Sequence, residues 1–385
     1  MKELTAKSEQ VLSYNPFAGP AIERVIHITE PQAEIWIACK LGDIDANRAY
    51  NESVTLILKG NLKTPALLEA IQNLIKRHEV LRSVFSADGR FMTIFKDLPL
   101  VIDLQNLSVL DKKDRDTALQ KYLLKDANYI FDLTKGPLFK VGLIKVSETE
   151  HHLILTAHHI ICDGWSIGIM LEELGSLYSA TVLNTNHNLP LPESFCAYAD
   201  EQQAYLGNET HKTTVNYWLN QFKDAVPQVT LPTDFPRPEI RTFKSERLDF
   251  PLDNALLEAL KKTGIKAGCS LVTTLLSTFE IFLSVHTGQD DIVLGLPSAD
   301  QAASGKTQMI GHCVNLLPLR SKIDKNITFK EYLKIRNPLL FDAYEHQKLS
   351  FGELLQKLNI ARDPSRVPLV PVVFNIDMGM TSAVS

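Results

Sequence analysis

The sequence lacks the features that mark membrane, secreted and nucleic-acid-binding chains. No stretch approaches the run of about 18 apolar residues that crosses a bilayer. The N-terminal MKELTAKSEQVLSYNPF has no apolar core, so no signal peptide is expected. Only five cysteines occur in 385 residues: Cys39, Cys162, Cys196, Cys269 and Cys313. Odd in number and without paired spacing, they argue for free thiols in a reducing compartment, and a cytoplasmic location is expected. The same scatter argues against disulfides and against a zinc site. Charge of one sign is not in excess. Lys and Arg number 40, Asp and Glu 45, and the net charge of −5 gives no basic footprint for nucleic acid. There is no short-period repeat and no low-complexity segment.

What is present is ordinary for a globular protein, with 45% hydrophobic and 22% charged residues. A chain of this length exceeds one small core, so two lobes are expected. Thr29-Glu30-Pro31-Gln32 fits a capping box with an early proline, and Ala33, Trp36, Ile37 and Leu41 form the predicted stripe of the helix that follows. Residues 53–59 alternate as a strand, with Val54, Leu56 and Leu58 on one side. Thr64-Pro65 opens a helix with the stripe Leu67, Leu68, Ile71, Leu74 and Ile75, and residues 81–95 predict a hairpin turning at Asp88-Gly89. A polar helix is predicted over 112–129, strands over 138–147 and 151–159, and a helix from the Asp163-Gly164 turn to about Val182. The Asn- and Pro-rich stretch 183–193 reads as a linker. Beyond it come a helix over 194–221, an extended segment over 231–241, helices near 253–266 and 270–286, and strands near 291–296, 313–319 and 370–376. The fold class is therefore α/β (an α+β sandwich), with lobes over 1–182 and 194–385. The chain stops just after its last strand, so the second lobe is expected to be truncated.

The sharpest local signal is Ala157-His158-His159-Ile160-Ile161-Cys162-Asp163-Gly164-Trp165-Ser166, which contains HHxxxDG at a strand–turn–helix junction. A chance match is on the order of one in a thousand. Side chains alternate along a strand, so His158 and His159 face opposite ways and cannot chelate one metal together. His159 shares a face with Leu153, Leu155 and Ala157, and His158 shares the other with Ile154 and Thr156. One histidine can then face a cavity while its neighbour is held in packing. Asp163 can fold back to fix His159, Gly164 allows a tight turn, and the helix N-terminus that follows could offer N–H groups to an oxyanion. His151 and His152, at the start of the same strand, read as solvated residues at a hairpin end.

With these residues in hand, the chain resembles condensation domains of non-ribosomal peptide synthetases. HHxxxDG is shared with relatives built like chloramphenicol acetyltransferase, but an ordered series of further segments accompanies it. TEPQAEIW at 29–36 is similar to the family's opening helix, and Arg77 to Phe85 to its RHExLRxxF segment. Phe195, Tyr198, Ala199 and Asp200, LPTDFPRP at 231–238, Ile310 to Asn315 (IGxFVN), His346-Gln347, Phe351-Gly352-Glu353 and Arg362 to Arg366 (RDxSR) follow in order. Arg77, Arg82 and Phe85 read as structural, Trp36 as core, and Asn315 and Arg320 as support for the sheet and lobe junction. Two positions depart from the pattern. Gln301 stands where the family often has an arginine that pairs with the motif aspartate, so only a neutral hydrogen bond is expected there. Cys313 stands where phenylalanine is usual. With His312 and Gln301, it resembles the subgroup that accepts acyl donors from polyketide modules.

The resemblance implies two chloramphenicol-acetyltransferase-like lobes in a V-shaped pseudo-dimer with a tunnel between them. Phosphopantetheine arms of an upstream donor carrier and a downstream acceptor carrier would enter from opposite sides, with adenylation or ketosynthase modules as neighbours. No intrinsic cofactor, metal, nucleic acid or membrane is implied, and the isolated domain is expected to be monomeric. His159 is the expected catalytic group, supported by His158, Asp163, Gly164, Trp165 and Ser166, while Gln301, Asn315 and Asn375 are candidates to line the tunnel. Trp165-Ser166 favours a donor without a D-configured end residue. Three alternatives share the motif or the fold: an acyltransferase using other thioesters, an epimerisation domain, and a non-catalytic recruitment module.

Overall fold

The computed structural model describes residues 19–360 and 363–376. Arg362 of the RDxSR segment lies outside them. The chain opens with strand β1 (Ile22–His27) and helix α1 (Glu30–Ala49). The predicted capping box is formed: the Thr29 side chain accepts from the Gln32 N–H, and the Gln32 side chain accepts from the Thr29 N–H. The buried face of α1 differs from the predicted stripe. Ile35, Cys39 and Ala46 are buried, while Ile37 is 50% and Leu41 82% exposed. α1 carries apolar residues around much of its circumference, so periodicity could not choose the face that packing chose.

Strand β2 (Asn51–Lys59), helix α2 (Thr64–Arg77), strands β3 (Ser83–Phe85), β4 (Phe91–Phe95) and β5 (Val101–Asn106), and helix α3 (Lys112–Ala127) follow. Next come β6 (Phe139–Ser147), β7 (Glu150–His158) and α4 (Gly164–Leu183). Two sheets form, ordered β1-β4-β3 and β2-β7-β6-β5. In the larger sheet β7 is central and antiparallel to both neighbours. Its alternation separates two packed layers. Leu153, Leu155 and Ala157 join the main core with residues of α2 and α4. Ile154 joins Ile144 and Val146 under Leu119, Tyr122 and Leu123 of α3. This central position corrects the reading of His151 and His152. Both are buried, 7% and 9% exposed, because strands flank them on both sides.

The predicted helix over 194–221 is two helices, α5 (Phe195–Tyr205) and α6 (Glu209–Gln221). They break where Gly207 takes φ +77° and Asn208 caps α6 through the His211 N–H. Then come α7 (Asn254–Ala267), α8 (Leu271–Thr287), β8 (Asp291–Ala299), the single turn α9 (Asp300–Ala303), β9 (Val314–Lys322), α10 (Phe329–Glu345) and α11 (Phe351–Lys357). β8 and β9 pair antiparallel. The predicted strand over 370–376 is reduced to one parallel bridge, Gly295 with Val373. A second hydrophobic core gathers Trp218, Leu276, Leu283, Leu294, Leu319 and Leu354 with their neighbours. Inside it Arg336 is paired with fully buried Glu280, which also accepts from the hydroxyls of Tyr332 and Ser321.

The cores are not divided at the linker. Phe195, Cys196, Tyr198 and Ala199 of α5, together with Met309, Ile310 and Cys313, pack into the first core. Gly311 allows this, because a Cβ there would overlap the Phe195 ring. At another crossing the Glu34 side chain accepts from the Gly352 N–H at 2.7 Å, joining α1 to α11. Among the described residues no single helix is long and apolar enough to cross a membrane.

Candidate active site

β7 ends at His158, and the chain turns through residues 159–163 into α4. The two histidines separate as alternation requires. His158 is fully buried against Cys39, Tyr50 and Phe131. Its Nδ1 accepts from the Ile160 N–H at 3.2 Å, so the ring proton sits on Nε2, 3.8 Å from the Cys39 sulfur. Burial, with His159 adding to it, pushes the His158 pKa down to about 3. Burial likewise raises the Cys39 thiol to about 12. The pair is therefore neutral and inert, and His158 is a packing residue.

His159 is different. Its side chain is 29% exposed. Its backbone N–H donates to the Tyr50 carbonyl at 2.7 Å, and its Nδ1 lies 2.6 Å from the Cys162 carbonyl oxygen. A carbonyl can only accept, so Nδ1 carries a proton, and in the neutral ring Nε2 holds the free lone pair. Nε2 lies 4.0 Å from Oε2 of half-exposed Glu52 on β2. The ring of His312 stands edge-on to that of His159, with centroids 4.9 Å apart and planes at 87°. Burial holds His312 well below the usual histidine range, with the charges of His159 and His158 acting in the same direction.

Asp163 does not fix His159, contrary to the sequence expectation. As N-cap of α4 its carboxylate turns away from the strand end. Fully buried, it accepts four hydrogen bonds. Oδ1 takes the Ser166 N–H at 2.8 Å and the Ser166 hydroxyl at 2.7 Å. Oδ2 takes the Gln301 amide at 2.8 Å and the Cys313 N–H at 3.0 Å. The neutral Gln301 bond expected from the departure at that position is thus present. The Cys162 carbonyl, which sequence reasoning missed, is the group that orients His159.

The remaining candidates fall as follows. Gly164 is exposed, has no positive φ, and a Cβ there would meet nothing within 4 Å, so no tight turn depends on it. Trp165 donates from Nε1 to the Thr307 carbonyl at 3.0 Å, and Ser166 accepts from the Gly311 N–H at 3.0 Å. Both tie α4 to the segment after α9. Gln301 is fully buried, which corrects its placement as a lining residue: its amide faces Asp163 rather than open space. Asn315 donates to the Gln347 and Leu349 carbonyls and accepts from the Phe351 N–H, bracing the loop before α11. It also lines a cleft with Glu30, Tyr198, Asp300, Cys313 and Gln347. Asn375 is exposed, beyond the single bridge at Val373. Arg77 pairs with Glu173, Arg82 with Glu23, and Arg320 with Asp291 and Asp224, all as structural clasps. Among the described residues no group of three or more His, Cys, Asp or Glu is arranged to hold a metal. Glu52 and His312 went unassigned because strand pairing brings the first to His159 and a long-range crossing brings the second.

These features define an α/β protein in which a strand–turn–helix histidine motif is bonded through a buried carboxylate to a segment from the second half of the chain that packs into the same core. The condensation domain family model matches residues 22–383, and the chain belongs to that family. It is 32% identical over 357 residues to chondramide synthase cmdD of Chondromyces crocatus, covering 91% of this chain and 9% of that one. It is also 32% identical over 351 residues to surfactin synthase subunit 1 of Bacillus subtilis (strain 168), with the same coverage of 91% and 9%. The chain thus spans about a tenth of the length of these relatives. Among solved structures it superimposes on holo-AB3403, a four domain nonribosomal peptide synthetase bound to AMP and glycine. That match has a TM-score of 0.82 at 22% identity, covering 96% of this chain and 27% of that one. It also matches the condensation domain of the monacolin K polyketide synthase MokA, with a TM-score of 0.75 at 19% identity, covering 92% and 81%. The fold is the chloramphenicol-acetyltransferase-like fold of these domains.

Proposed function

We propose that this domain joins a carrier-bound donor acyl group to the amine of a carrier-bound aminoacyl thioester, with His159 as the catalytic group. The observation that carries the reading is the setting of His159: Nδ1–H is held by the Cys162 carbonyl, and Nε2 is left on the exposed side of the ring, 4.0 Å from Glu52. In the reaction the acceptor nitrogen attacks the donor carbonyl carbon and the C–S bond breaks. The donor arm leaves as a thiolate, and the nitrogen gives up one proton, which Nε2 collects. A free α-amine has a pKa of roughly 7.7–8, so much of it is already neutral near pH 7. Positioning of the two thioesters, with effective molarities on the order of 10⁵ M or more, then supplies the larger share of the acceleration. The N-terminal turn of α4, at exposed Gly164 and Trp165, is the proposed donor set for the oxyanion.

The domain is proposed to have two lobes, 1–182 and 194–385, joined by 183–193, with the arms of upstream and downstream carriers meeting between them. Phosphopantetheine belongs to those carriers. Neighbouring adenylation or ketosynthase modules, a monomeric state for the isolated domain and a cytoplasmic setting complete the reading. The test joins the chain to its downstream carrier loaded with amino acid. An upstream carrier bearing an acyl donor is added, and the acceptor carrier is followed by intact-protein mass spectrometry. A donor-sized mass gain that collapses in His159→Ala supports the proposal. Free coenzyme A thioesters serving without a carrier, or inversion of the aminoacyl group without condensation, would replace it with one of the two enzymatic alternatives. No gain across a broad donor panel, from folded protein that binds its carriers, would favour a recruitment module.

A further inference from the structure

Among the described residues His159 has a hydrogen-bond partner for one ring nitrogen only, and a single bond leaves the ring free to tilt about it. The Asp163 carboxylate touches neither motif histidine. What it does hold is the segment that crosses from the second core. Cys313 donates to Asp163 Oδ2, and Gly311 donates to Ser166, which is itself bonded to Asp163 Oδ1. The residues on both sides of His312 are thereby tied to the N-terminus of α4. Gln301, on the same carboxylate oxygen, adds a third tie at 2.8 Å. Phe195 packs directly over Gly311 and fixes the segment from its other side. His312 is left with no freedom of its own: it is 7% exposed, and its ring meets His159 edge-on at 4.9 Å. Its Nδ1 has no hydrogen-bond partner among the described residues, so no bond at that nitrogen explains a histidine here.

We propose that His312 is a positioning residue for His159, through which Asp163 acts: the carboxylate clamps residues 311–313, and the clamped ring holds His159 with Nε2 directed at the Glu52 side. The proposal rests on the reading of His159 as the reacting group. It gives the motif aspartate a role that needs no contact with the histidine. It also accounts for a buried, uncharged imidazole beside His159, since a ring that stays neutral does not compete for the reaction's proton.

The test reads orientation directly, on the 385-residue chain. Ring ¹⁵N shifts and couplings of ¹⁵N-histidine-labelled protein report which nitrogen of each histidine carries its proton. In the wild type, His159 is expected to show a single Nδ1–H form. In His312→Ala, both His159 nitrogens are expected to move to averaged values. His312→Phe, which keeps an aromatic edge in place, is expected to restore the wild-type pattern. Condensation is expected to follow, with kcat down about 10- to 100-fold in His312→Ala, acceptor KM within about twofold, and recovery in His312→Phe. A His159 pattern unchanged in His312→Ala would overturn the proposal whatever the rates do. If His312→Ala does not fold, His312→Leu takes its place under the same criterion. If instead His159→Ala condenses at the wild-type rate, the catalytic reading of His159 fails, while the orientation result stands separately.

Discussion

Gln301 of the second half donates its amide N–H to Oδ2 of Asp163 at 2.8 Å, and both side chains are fully buried. Among the described residues the Asp163 carboxylate is therefore compensated by four neutral donors and no cation. Removing one donor from a buried acceptor of this kind costs about 1–3 kcal/mol. Gln301→Ala is expected to lose that much stability in denaturant titrations, and Gln301→Glu more, because a second carboxylate would face the first. Equal midpoints for wild type and Gln301→Glu would show that the Gln301–Asp163 bond does not stabilise the fold.

Glu52 predicts a separate effect, on activity alone. Its carboxylate lies 4.0 Å from Nε2 of His159, and both side chains are partly exposed. Attraction to an imidazolium formed during reaction is then worth about 1 kcal/mol after solvent screening. Glu52→Gln is expected to lower turnover about three- to tenfold with an unchanged melting midpoint. A variant as fast as wild type would remove Glu52 from the site.

His158 predicts a pH-dependent stability. Its folded pKa of about 3 lies below the ordinary 6.5, so between these values the unfolded chain binds a proton that the folded one does not. Its contribution is complete above pH 6.5 and falls as pH drops toward 3, by about 1.4 kcal/mol per pH unit. His158→Gln should flatten stability against pH by one proton over pH 6.5–5 relative to wild type, while costing stability at neutral pH through lost packing. An identical slope would place the buried proton elsewhere.

Glu34 works in the opposite direction. Burial pushes its carboxyl up to about 7, while the Gly352 N–H it accepts opposes the shift in part. A carboxyl raised above its ordinary 4.5 contributes fully below that value, and the contribution is lost as pH rises through 7. The α1–α11 contact is therefore expected to weaken between pH 5 and 8. Hydrogen exchange at the Gly352 amide should quicken over that range beyond its intrinsic pH dependence, and should not do so in Glu34→Gln. Intrinsic behaviour in both proteins would contradict this.

Much of the local architecture was legible in the chain. The capping box at Thr29, the α2 stripe, the turn at Gly89 and the separation of His158 from His159 follow from spacing and alternation, which are properties of short segments. The departure at Gln301 was also legible, together with the weaker bond it forms. The face of α1, the break at Gly207, the burial of His151 and His152 and the partners of Asp163 were not. α1 is apolar on several sides, a single glycine does not announce a helix break, and a central strand is buried by its neighbours rather than by its own pattern.

What the sequence by itself determined is the set of elements and the histidine motif between β7 and α4, because each depends on residues within a few positions of one another. What only the tertiary structure decided is which groups surround that motif. Glu52 comes to His159 through the register of β2 on β7, and His312 through a crossing some 150 residues away in the chain. Such contacts arise from the packing of separate elements, and no local propensity encodes them.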